Sequence, residues 1–280
     1  MTGLYNSFVG FLKVSRVPNL GIIGLTQLST AFFLLDKKVL DPNLLLIVAS
    51  TMMIAASGYI INDYYDQKID MINRPDRVIV GIAFNRRFAL IFHSAINLLA
   101  IGIGLWVDIA VGLAHFFSGF LLWYYSVHLR RLPLIGNLII AMLTGLTLII
   151  LLLYFRQSSG LVFTYALFAF LMVLIREIIK DIQDVKGESA FGCISVPVIW
   201  GIRGAKFLIY LIVFAGSALL VQFLTSEMNR VLQIYFLLLS PIFLWFTYRL
   251  YRADTHDDFT FLHRFCNAII FTGIISIPFN

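Results

Sequence analysis

With 280 residues, 60% of them hydrophobic and only 13% charged, the chain falls far below the roughly 25% charged content of an ordinary soluble domain, so its solvent is largely lipid. Apolar runs such as 138–155 exclude a soluble all-α enzyme, and the lack of polar–apolar alternation excludes a β-barrel. The net charge of +6 is scattered over short connectors rather than gathered on one helix, a pattern that reads as membrane topology and not as a nucleic-acid surface.

Stretches near the roughly 20 residues needed to cross a bilayer number about nine: 17–35, 43–61, 87–105, 109–127, 133–154, 160–179, 205–225, 230–250 and 259–278. The expected fold is an all-α integral membrane bundle, a single domain over residues 1–280. Lys13 and Arg16 precede the first span, which lacks a small-residue cleavage site and is read as a retained helix. Arg16 and Asn19 suit an interfacial anchor and a helix cap.

The second span runs into Asn62-Asp63-Tyr64-Tyr65-Asp66-Gln67-Lys68-Ile69-Asp70. On a helix, Asn62, Asp63, Asp66 and Asp70 share one face over about 12 Å. Trp123, Tyr124 and Tyr125 close the fourth span at an interface, where aromatic belts are ordinary. The sixth span ends in a second acidic run, in which Glu177, Asp181, Asp184 and Glu188 recur at four, three and four residues, again one face.

Like charges at these spacings repel, and an Asp in a membrane helix costs about 2.5–3.5 kcal/mol. A cation should compensate. Carboxylate oxygens suit magnesium, which keeps several waters and is commonly shared between one or two carboxylates and a phosphate. Asn62, Asp63, Asp66, Asp70, Asp181 and Asp184 are the expected metal ligands. Arg74, Arg77, Lys180, Arg130 and Arg131 are available to phosphate oxygens, Arg especially through its bidentate fork. The five His show no metal-binding pair, and Cys193 and Cys266 imply neither disulfide nor zinc site.

If the N-terminus is cytoplasmic, all of the 21 Lys and Arg except Lys37, Lys38, Arg156 and Arg230 fall on that side. The connectors 62–86 and 180–204, which carry the acidic runs, then face the cytoplasm, and the C-terminus lies outside. The expected location is the inner (cytoplasmic) membrane.

These residues resemble the UbiA superfamily of intramembrane prenyltransferases. The run Asn62 to Asp70 fits its NDxxDxxxD motif, followed by Asn73-Arg74-Pro75-Asp76-Arg77, and Asp181, Asp184 and Glu188 fit the position of the second motif. Glu188 stands where Asp is usual, and Val78 where many relatives have Pro. The resemblance implies a nine-helix bundle around a central cavity, Arg16 and Asn19 facing that cavity, magnesium, and an isoprenyl diphosphate donor whose tail lies in a lipid-facing tunnel. The segments 129–137 and 176–184 look most like the digeranylgeranylglyceryl phosphate synthase branch, which implies a geranylgeranyl donor and a glycerol-phosphate lipid acceptor.

On this reading the metal withdraws the diphosphate, with Asp66 and Asp181 central, and Glu177 or Glu188 takes the acceptor's proton. Alternatives are an aromatic acceptor, phosphoribosyl transfer to a polyprenyl phosphate and, in another class, a cation-coupled transporter. Transport would need ionisable groups near mid-span, whereas here they sit at helix ends.

Overall fold

The structure is a computed structural model that describes residue 10, residues 13–82, 84–224 and 230–279. Among the described residues it contains nine long helices: α1 (Val17–Ser29), α2 (Pro42–Asn73), α3 (Arg86–Val107), α4 (Ile109–Val127), α5 (Ile135–Phe155), α6 (Gly160–Ala190), α7 (Val196–Leu224), α8 (Arg230–Arg252) and α9 (His256–Ser276). Eight segments are long and apolar enough to cross a membrane; α8 is the helix not among them. The chain is an all-α integral membrane protein. Outside the helices the described residues hold one isolated bridge, Val80 with Phe84.

Local chemistry sets the helix starts. Asp41 accepts from Asn43 N at 2.9 Å ahead of Pro42, and Asn85 accepts from Arg87 N at 2.8 Å. Asp108 closes α3 and caps α4 through Ala110 N at 2.7 Å. Thr255 and Asp258 form a capping box on α9. Helix α1 continues as a π-helical turn, Thr30–Leu34. Within α7 the backbone breaks at Gly201, whose φ of 69° is open to glycine without a Cβ penalty.

Two expectations are corrected. Residues 62–73 and 180–190, read as connector, are helical; the true links are 74–85 and 191–195. The seventh helix begins at Val196 rather than near 205.

Helices α2 and α6 form the centre. Met172, Ile175, Ile178 and Ile179 of α6 are buried against Ile209 of α7, Phe246 and Leu250 of α8, and Phe259 and Leu262 of α9. At the opposite end, Leu44 and Ile47 of α2 meet Leu148 and Leu151 of α5, Val162 and Tyr165 of α6, and Ile274 of α9. Large side chains such as Trp106, Ile109, Phe214 and Leu244 point outward, as lipid-facing surface requires.

Candidate active site

Asn62, Asp63, Asp66 and Asp70 occupy the last turns of α2, and Glu177, Asp181, Asp184 and Glu188 those of α6. The two helix ends meet directly. Asn73, one turn beyond Asp70, donates from Nδ2 to the Asp184 carbonyl at 3.0 Å and accepts from Gly187 N at 2.9 Å. Arg74 donates to Asp184 Oδ1 at 2.9 Å and to Gln183 Oε1 at 3.4 Å. Gln183 in turn donates to Thr260 of α9 at 2.8 Å, so three helices are tied at one level.

The close approach depends on Gly187. A Cβ there would lie 2.6 Å from Asn73 Nδ2 and 2.8 Å from the Ile69 carbonyl oxygen. The latter is backbone and gives way only if the helices part.

Each buried acid has a partner. Asp66, 3% exposed, is paired with Arg130 and accepts from Asn62 Nδ2 at 2.5 Å. Asp63 is paired with Arg16 at 2.8 Å, and the Arg16 guanidinium also lies over the Tyr59 ring. Burial works against the Arg16 charge, but the facing Asp63 carboxylate more than offsets this and holds the group above the ordinary arginine value. Asp181 accepts from Asn137 Nδ2 at 2.8 Å, and Glu188 from Ser195 Oγ at 2.5 Å. Glu177 is held from both sides, by Arg176 at 2.7 Å and Lys180 at 3.7 Å. Asp70 lies in the field of Lys180, Asp63, Asp184 and Arg74.

Other expected residues stay apart. Asn19 and Arg131 are exposed and join none of these pairs; the side chain of Arg77 lies outside the described residues. Trp123 and Tyr124 are exposed on α4, where Phe120 and Tyr124 stack at 5.9 Å; only Tyr125 is buried. Sequence reasoning missed Asn73, Asn137, Gln183 and Ser195. Asn73 was findable, since it continues the Asp66–Asp70 face by three residues. Nothing in the sequence pattern marks Ser195.

Among the described residues no three acidic, His or Cys side chains converge on one point. The donor set nevertheless fits magnesium, which needs only one or two carboxylates beside water and phosphate oxygens. Its oxygens come from carboxylates and the Asn62 amide at two helix ends in contact. Zinc-type nitrogen and sulfur ligation is absent from the set.

A small apolar groove, about 80 Å³, lies farther along the bundle between α1, α5, α6 and α9, lined by Ile22, Thr26, Thr147, Phe168, Ile270 and Ile274 among others. From Asp181 to Phe168 is thirteen residues of α6, about 20 Å.

Paired acidic helix ends at one level of an all-α membrane bundle, with an apolar groove farther along it, set the chain among intramembrane enzymes. The chain belongs to the UbiA prenyltransferase family, which matches residues 25–269. It is similar to the digeranylgeranylglyceryl phosphate synthase of Methanothermobacter thermautotrophicus, 36% identical over 203 residues, 71% of this chain and 69% of that one. The synthase of the same name from Thermococcus gammatolerans is 32% identical over 262 residues, 91% of this chain and 90% of that one. In fold it matches a UbiA homolog from Archaeoglobus fulgidus bound to DMAPP and Mg2+, with a TM-score of 0.70 and 14% identity over 96% of this chain and 98% of that one.

Proposed function

We propose that this prenyltransferase moves a geranylgeranyl group from its diphosphate to the free hydroxyl of geranylgeranylglyceryl phosphate, with magnesium held by Asp63, Asp66 and Asp70 of α2 and Asp181 and Asp184 of α6. The observation that carries this reading is the contact between the two acidic helix ends through Asn73, Arg74, Asp184 and Gly187. Support for the acceptor comes from the relatives named for the corresponding product, and support for the metal and donor class from the Archaeoglobus homolog.

Bound there, magnesium supplies Lewis-acid neutralisation of the departing diphosphate. The chain's own residues do the rest. Arg74 and Arg130, engaged with Asp184 and Asp66, stand within reach of diphosphate oxygens and exchange a carboxylate partner for a phosphate one as the donor seats. Asn62 and Asn137 hold Asp66 and Asp181 in fixed rotamers. The groove between α1, α5, α6 and α9 offers an apolar wall to the far end of an apolar chain.

Glu188 is the better base for the acceptor hydroxyl. Both Glu177 oxygens face cations, whereas Glu188 has one oxygen on Ser195 and the other without a hydrogen bond among the described residues. The active site faces the cytoplasm, with the N-terminus on the same side and the C-terminus outside, in the inner (cytoplasmic) membrane; the distribution of Lys and Arg supports this orientation.

The test is transfer from labelled geranylgeranyl diphosphate by the purified chain in nanodiscs, with geranylgeranylglyceryl phosphate, 4-hydroxybenzoate and a naphthoate as acceptors. Only the first should be prenylated, and a chelator should abolish the reaction until magnesium is restored. Efficient prenylation of an aromatic acid with none of the glyceryl phosphate rejects the acceptor.

A further inference from the structure

Four described residues other than glycine have a positive φ: Arg16, Asp36, Leu134 and Arg156. Arg16 and Arg156 rest in the left-handed helical well, with ψ of 51° and 38°. Leu134 does not. Its φ of 63° with ψ of −32° lies outside the main regions open to a residue with a side chain, and Ile135 N donates to the Pro133 carbonyl at 2.7 Å. This is close to the rare, strained form of the three-residue turn.

The sequence accounts for part of this geometry. Pro133 keeps Leu132 extended, with ψ of 141°, so the tight helical turn Leu129–Arg131 does not run on into α5. The turn at Leu134 then sends the chain back on itself. A Cβ on Gly136 would lie 3.2 Å from Arg130 Cα and 3.1 Å from the Leu129 carbonyl oxygen, whereas continuous helix would separate residues 130 and 136 by about 9 Å. The link between α6 and α7 braces the fold-back, with Ile194 N donating to the Arg131 carbonyl at 3.0 Å.

Arg130, just before the turn, is paired with Asp66 of α2; Asn137, just after it, donates to Asp181 of α6 at 2.8 Å. One short link therefore holds a carboxylate on each of the two acidic helix ends. Backbone strain of this kind persists only where the surroundings over-determine it. Here the Leu134 side chain packs against the core cluster that includes Ile178, Ile182 and Val196. Glycine would take the turn freely but would forfeit that hold.

We propose that Leu134 is a positioning residue: its side chain, anchored in the core, pins the strained turn and so fixes Arg130 on Asp66 and Asn137 on Asp181. The inference rests on the proposed metal site, which supplies the reason for holding those two acids at a fixed spacing. Leu134 acts through Arg130 and Asn137 and takes no part in the chemistry.

The test combines hydrogen exchange with a double-mutant cycle, on the purified chain in nanodiscs. Leu134→Gly removes the pin while permitting the turn, so amide exchange over residues 128–138 of the metal-free protein should accelerate about tenfold. Prenyl-transfer kcat should fall about tenfold. Leu134→Met, which keeps an apolar anchor of similar volume, should bring both back to within about threefold of the parent. In an Asn137→Ala background, Leu134→Gly should cost only about threefold more in kcat, because one of the two side chains that it positions is gone. A loss of general packing would multiply in full. Leu134→Asn, whose side chain tolerates a positive φ but offers no apolar anchor, should match Leu134→Gly and keeps the test open if the glycine variant fails to fold.

Full multiplication of the two losses, or parent-level exchange and kcat in Leu134→Gly, overturns the inference. Parent-level transfer in Asp181→Asn overturns the metal-site reading instead, and exchange in the metal-free protein then still decides whether Leu134 pins the turn.

Discussion

Replacing Gly187 with Ala tests whether the distance between the two acidic helix ends governs turnover. The added methyl would sit 2.8 Å from the Ile69 carbonyl and 2.6 Å from Asn73 Nδ2, against about 3.5–4.0 Å for an unstrained carbon contact. Relief needs a shift of nearly 1 Å between α2 and α6. The Asn73 bonds to Asp184 O and Gly187 N, at 3.0 and 2.9 Å, would then stretch beyond useful length. Overpacking costs about 1–3 kcal/mol, and two weakened hydrogen bonds about 1 kcal/mol each. The larger effect falls on chemistry, because a displacement of about 1 Å at a site that works by positioning costs on the order of a hundredfold in rate. Single-turnover transfer under saturating donor and acceptor reads the chemical step, and thermal unfolding of the same preparation in detergent reads the stability. We expect kcat to fall about a hundredfold in protein that remains folded at the assay temperature. Asn73→Ala, which removes the bridge without pushing the helices apart, should fall less. Turnover in Gly187→Ala equal to that of the parent would refute the idea that this contact sets the site geometry.

Asp66→Asn and Asp181→Asn keep side-chain volume and remove a charge, so each should lower turnover by two or more orders of magnitude with normal membrane insertion, measured by transfer assay and immunoblot. Cys193 is 2% exposed; burial and then the nearby Glu188 charge raise its thiol pKa above the ordinary 9.0. Its alkylation should therefore stay slow at neutral pH and accelerate only above the usual thiol range, and any stability it contributes is lost as pH rises through the folded value. Mass spectrometry of iodoacetamide-treated protein checks this, and rapid labelling at pH 7 contradicts it. Reporter fusions at Pro75 and Gly187 should both read cytoplasmic and one at Ser158 external; opposite readings for the first two break the shared site.

Most of the span pattern was legible because lipid imposes length and uniform apolarity on each helix. The expected 109–127 agrees with α4, and 17–35, 87–105 and 160–179 begin within a residue of their helices. The acidic faces were legible too, since 3.6-residue periodicity needs no tertiary information. Pairing was not. Arg130 was available in the sequence to phosphate, to lipid head groups or to any acid, and only the docking of the α4–α5 link places it on Asp66. Ser195 lies just beyond α6 and reaches Glu188 because the chain turns back there, with Cys193 N donating to the Glu188 carbonyl at 2.9 Å. No local pattern encodes that turn. Arg16 read as an anchor; its pairing with Asp63 requires α1 to lie along α2.

The overrun of α2 and α6 explains why the connectors were begun at 62 and 180 although the acidic runs there keep a helical spacing. At 32 and 31 residues, these two elements run about 48 and 46 Å, against a hydrocarbon core of about 30 Å. Window counting stops where apolarity stops, near 61 and 179, although the backbone keeps its hydrogen-bond ladder for another three turns. Those turns carry the acids. A carboxylate at that level meets cationic and polar side chains instead of lipid, so the cost of charge in a membrane is largely avoided. It is also mounted on a rigid helix, which holds side chains within tighter limits than a loop. The pairs formed with Arg16, Arg74 and Arg130 then hold acids that would otherwise repel one another. Long helices that leave the bilayer therefore solve two problems together: they lift the charges out of hydrocarbon, and they keep those charges at fixed separation above the groove.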